Sequence, residues 1–121
     1  MGTAEVMNPV TIEAAIRDCA TRIASGVAVC NERYEAFLTA DRAYDREFAR
    51  AYLNAPGSIV AKKYEAELVT TDLREARDVA DAAYRYADRL SRALQDELRA
   101  WQSVGASVRA MYAVAGRGEG S

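Results

Sequence analysis

Apolar residues recur through this chain in a rhythm of threes and fours. Between Leu73 and Tyr112, Leu73, Ala80, Ala87, Leu94, Trp101 and Val108 form one row at intervals of seven. A second row three residues on holds Ala76, Ala83, Leu90, Val104 and Met111, interrupted by Glu97, beside which Leu98 can take the vacant place. Such a 3,4 alternation, sustained over more than five heptads, predicts a helix packed along its length against other helices. Ile16, Ile23, Cys30, Phe37, Tyr44 and Ala51 form a similar row earlier in the chain, accompanied four residues on by Ala20, Val27, Tyr34 and Phe48. Asp41 falls in that companion row, either as a polar interruption or as a sign that the seam rotates.

Punctuation divides the pattern into three helices. Residues 1–9 read as a flexible leader, with Asn8 or Thr11 as candidate cap and Pro9 near the first turn. A long helix is predicted over 10–53. Asn54-Ala55-Pro56-Gly57-Ser58 ends it, because proline cannot continue a helix and glycine supplies a turn. Ser58 caps a short helix over 58–69. Asp72, three residues before Glu75, resembles a capping box and opens a second long helix over 72–115, and the glycine-rich residues 116–121 read as a disordered tail.

The fold expected is therefore all-α. It is a long, coiled-coil-like antiparallel hairpin with a short connecting helix, forming a single domain over 10–115. The last helix is small-sided early (Ala76, Ala80, Ala83, Ala87), where the first helix carries Phe37, Tyr44, Phe48 and Tyr52, so folding back sets small against large. Two long helices and a short one leave apolar stripes uncovered, so assembly into a homo-oligomer is expected. Phe37, Tyr44, Phe48, Leu90, Leu94, Leu98, Trp101 and Val108 are the candidate core or oligomer seam.

Composition narrows the chemistry. Sixteen basic and eighteen acidic residues among 121 give a net charge of -2, which argues against a surface that is basic throughout. No histidine is present, and Cys19 and Cys30 stand eleven residues apart, about 16 Å of helical rise, too far for a disulfide within one straight helix. The two thiols read as small buried hydrophobes. No ligand set for zinc, phosphate-binding loop or nucleophile elbow is found, so neither enzyme activity nor a metal or cofactor is expected. The apolar runs are too short to span a bilayer, and a cytoplasmic location is expected.

Binding offers more. Arg85, Arg92 and Arg99 repeat every seven residues with Arg89 close by, on a strip away from the apolar seam. Arg42, Arg46 and Arg50 form a second strip, and Lys62, Lys63 and Tyr64 lie just past the turn. Together these are candidate contacts for nucleic-acid phosphates and, through Tyr64, for base stacking. The carboxylates among them, such as Asp41, Asp45, Asp81 and Asp88, equally describe helix surfaces laced with ion pairs.

Over Ala51 to Gly116, the Tyr52-Leu53 pair, the Pro56-Gly57-Ser58 link, Lys62-Lys63-Tyr64-Glu65, Asp72, Gln102-Ser103 and the turn from Arg109 to Tyr112 follow one another in order. This stretch resembles a small all-helical family common in tailed phages, and its layout is similar to UvsY-type phage recombination mediators. The resemblance implies an oligomeric accessory protein that binds single-stranded DNA and helps load a recombinase, in the host cytoplasm and without catalysis. A single-strand-binding protein is a further implied partner. The main alternatives are a protein-binding adaptor or anti-defence protein that makes no DNA contact, and a virion assembly or scaffolding component.

Overall fold

The computed structural model describes residues 8–120, with side chains through residue 116. Residues 1–7, most of the expected leader, lie outside the described residues. Three helices and no strand occur among the described residues: α1 (Pro9–Asn54), α2 (Ile59–Val69) and α3 (Thr71–Gly120). The all-α reading of the sequence holds.

The helix ends follow from local chemistry. Asn8 is the cap of α1: its side-chain Oδ1 accepts the Thr11 N–H at 2.9 Å, its carbonyl accepts Ile12 N–H at 3.1 Å, and Pro9 fills the first helical position. After Asn54 the chain turns through Gly57 at φ 98°, a left-handed value that a side chain disfavours, and Ser58 Oγ accepts Ala61 N–H at 3.2 Å to start α2. The junction of α2 and α3 is a single residue, Thr70. Its hydroxyl donates to the Ala66 carbonyl at 2.6 Å, and its own carbonyl accepts Arg74 N–H at 2.9 Å. Asp72 is consequently inside the first turn of α3, where its charge favours the helix N-terminus, and is not the cap expected of it. At the far end α3 runs to Gly120, past the point where a disordered tail was expected. Once a helix is nucleated, each added residue contributes another backbone hydrogen bond, and that outweighs the local glycine content here.

The chain divides into two compact units, one of Met1–Val27 with Arg89–Ser121 and the other of Ala28–Asp88. In the first unit α1 and α3 run antiparallel: Ile12 lies at Gly105, and Cys19, later in α1, meets Glu97, earlier in α3. Ile12, Cys19, Leu94 and Val108 are buried, with Ile16, Ile23, Leu98 and Trp101 half-buried beside them. A Cβ added at Gly105 would sit 3.2 Å from Ile12 Cγ2, so the absence of a side chain there permits the close approach of the helices.

In the second unit the order is again antiparallel, with Tyr34 against Tyr84 at 5.1 Å between ring centroids and, further along α1, Asp41 against Arg77. Phe37, Tyr44 and Phe48 are half-buried, Ala87 is buried and Ala80 half-buried, in line with large residues of α1 facing small ones of α3. The guanidinium of Arg77 lies 4.5 Å from the Tyr44 ring centroid and also pairs with Asp78 at 3.2 Å.

The second rows hold only in part: Ala83 and Val104 of α3 and Phe48 of α1 are half-buried, while other members are exposed. Leu90 is 45% exposed and Met111 68% exposed in the single chain. Arg77, Tyr84, Ser91 and Gly105, four residues on from the α3 row, turn inward as well, and so does Leu98, which takes the place of Glu97 as expected. In the first unit Val27 is likewise exposed, and Ile12 and Cys19 occupy the inward positions four residues before Ile16 and Ile23.

Candidate functional site

Arginines bound for phosphates need free guanidinium groups. Most of the candidates here are engaged along their own helices. Arg85 Nε donates to Asp81 at 3.1 Å, Arg99 meets Asp96 at 2.6 Å, Arg50 meets Glu47 at 2.7 Å, and Arg46 lies 3.9 Å from the same carboxylate. Arg92 also has an interaction partner. Lys62 is half-buried with its ammonium 6.0 Å from the Tyr52 ring centroid. Arg42, Lys63 and Arg89 are exposed and make no ion pair among the described residues. Spacings of three and four that place arginines on one helix face place carboxylates beside them, and the strips become locally neutral.

The Cys19 thiol donates to Glu97 Oε2 at 3.1 Å, and the Trp101 indole N–H donates to the same oxygen at 3.3 Å. Its hydrogen bond to Glu97, followed by burial, pushes the Cys19 thiol above its ordinary pKa. The hydrogen bonds from Cys19 and then Trp101 pull the Glu97 carboxyl below its ordinary range. A thiol held protonated is a poor nucleophile and a poor metal ligand, so this trio joins helices and does not provide a reactive centre. Among the described residues no group of three metal-ligating side chains converges.

The more unusual surface belongs to α2. Only Ala66 of its eleven residues is buried, while Val60, Tyr64 and Leu68 are 61%, 60% and 74% exposed. Their spacing of four places all three on one stripe of the helix, turned away from Ala66. An isolated surface helix normally buries its apolar stripe; α2 leaves this one in solvent, together with Ile59 and Val69, while Lys63 and Glu65 are exposed and Lys62 and Glu67 half-buried. Lys63 and Glu67 border the stripe along one edge and Glu65 along the other. Glu65 lines an open cleft together with Glu47, Arg50, Asn54 and Val69, in which Arg50 is bonded to Glu47 at 2.7 Å. Sequence reading emphasised the lysines and Tyr64 and missed Val60 and Leu68, although the i, i+4, i+8 spacing that reveals the stripe was there to be seen.

No family model, curated protein or solved structure matches the chain. Among the described residues no helix is long and apolar enough to cross a membrane.

Proposed function

We propose that this protein is a non-enzymatic helical adaptor that works by presenting apolar helix faces to other protein surfaces, its own copies included. The observation that carries the reading is the exposed stripe of Val60, Tyr64 and Leu68 on a helix in which Ala66 alone is buried. Apolar area of this kind gains free energy when a second protein surface removes it from water. The finer architecture expected from sequence, a long hairpin assembled into a homo-oligomer, belongs to the same proposal, supported by the antiparallel order of contacts within each unit.

The recombination-mediator reading, with single-stranded DNA and a recombinase as partners, draws support from Arg42, Lys63 and Arg89, which are exposed without an ion partner among the described residues. It is the second reading because Arg46, Arg50, Arg85 and Arg99 are compensated by neighbouring carboxylates. Titration of the purified protein with a labelled single-stranded oligonucleotide separates the two. The adaptor reading expects no salt-dependent binding, whereas contact with several phosphates gives a log–log slope of about -0.7 per phosphate on single strands. A steep slope transfers the function to DNA.

A further inference from the structure

The geometry points to the occupant of the α2 stripe being the α2 stripe of a second copy of this chain, laid antiparallel across a two-fold axis near the level of Glu65. This rests on the adaptor reading and names its first partner.

The charges bordering the stripe carry the argument. Lys63 and Glu67 stand one turn apart on the same edge, and no ion pair joins them within the chain among the described residues. Their order, cation before anion, is the less favourable one for pairing along a helix. An antiparallel two-fold pairing brings like edges together and sets Lys63 beside the partner's Glu67, then repeats the pair through symmetry. In the same register Val60, Tyr64 and Leu68 of one copy alternate in level with those of the other, so side chains enter the gaps between their counterparts. On the opposite edge Glu65 meets its own counterpart, one approach of like charges at the exposed rim of the interface. A parallel pairing would bring the Lys63 and Glu67 edge against the Glu65 edge and leave Glu67 facing an acid. The antiparallel form is thus the one in which the exposed apolar stripe and its Lys63 and Glu67 edge are complementary to themselves, with a single Glu65 approach against two attractive pairs.

An interface built around eleven-residue helices is small beside a standard stable interface, so the association is concentration-dependent. Sedimentation equilibrium of the full chain through the micromolar range should show a reversible self-association that the joint substitution Tyr64→Asp and Leu68→Asp abolishes with helical content retained. Lys63→Glu alone and Glu67→Lys alone should each weaken association about tenfold, because each converts two attractive pairs into two repulsive ones. The double variant Lys63→Glu, Glu67→Lys should return to within about threefold of wild type, since only the signs are exchanged. A wild-type monomer throughout the range overturns the inference. So does an assembly that survives both aspartates, or single reversals that the double variant fails to repair. None of these outcomes depends on the oligonucleotide titration, so failure of self-docking and failure of the adaptor reading are told apart.

Discussion

Cys19 Sγ lies 3.1 Å from Glu97 Oε2, joining the early part of α1 to α3 where the apolar row of α3 carries a charge. Glu97 interrupts the hydrophobic pattern because its carboxylate accepts two donors at once, the thiol and the Trp101 indole. A one-heptad slip of α3 against α1 would bury the thiol without its acceptor, so the trio favours a single register.

Stability should fall at both ends of the pH scale through this pair. Glu97 has a lowered folded pKa, so its contribution is present above the unfolded carboxylate value and is lost as pH falls through the folded one. Cys19 has a raised folded pKa, so its contribution is present below the unfolded thiol value and is lost as pH rises through the folded one. Thermal melts across pH should show the acid limb reduced in Glu97→Gln and the alkaline limb reduced in Cys19→Ala.

Trp101 is half-buried in the seam of its unit and holds Glu97 through its indole N–H. Trp101→Ala should cost about 2 kcal/mol, less than the roughly 3–5 kcal/mol typical of a fully buried ring. Trp101→Phe should recover most of that packing but not the hydrogen bond. Chemical denaturation of the three proteins gives the ranking directly.

Gly26 and Gly105, both in the first unit, should respond in opposite directions. A Cβ at Gly26 meets nothing within 4 Å, so Gly26→Ala should stabilise by about 0.5–1 kcal/mol through helix propensity alone. A Cβ at Gly105 comes 3.2 Å from Ile12, whose side chain is fully buried and has little room to give. Gly105→Ala should therefore lose about 1 kcal/mol net, the overpacking outweighing the gain in propensity. Denaturant midpoints of the two alanine variants test the contrast.

Arg77 belongs to the packing of the second unit. Its guanidinium lies over Tyr44 and pairs with Asp78, with Asp41 3.9 Å away. Arg77→Ala should destabilise by about 1–2 kcal/mol, and Arg77→Met, which keeps the stem but not the charge, by less. Equal losses in the two variants would show that the charge, and not the stem, supplies the whole effect.

Three helices, the break at Pro56-Gly57 and the Ser58 cap could all be read from the sequence, since each rests on local signals of proline, glycine and side-chain capping. The row through Leu94 and Val108 was equally legible. Its companion was legible only in part, through Ala83, Leu98 and Val104, because three further inward positions are Arg77, Ser91 and Gly105, which no search for apolar periodicity selects, while Leu90 and Met111 fit the pattern and remain exposed. A polar or small residue can occupy a seam when the opposing helix supplies an aromatic face, as Tyr44 does for Arg77, or when close approach demands it, as Ile12 does for Gly105. The state of the arginines was legible in part. Asp81 four residues before Arg85 and Asp96 three before Arg99 are sequence spacings, but only the structure brings each pair within bonding distance.

The orientation of α2 is the claim on which the functional account stands. Carbene labelling of dilute protein, read residue by residue after proteolysis, measures it directly. Val60, Tyr64 and Leu68 should take up label heavily while Ala66 and Thr70 stay protected, and the stripe should lose label as concentration rises into the range of self-association. Heavy labelling of Ala66 with protection of Tyr64 and Leu68 in dilute protein would mean that α2 packs with its apolar side inward, and would contradict the account.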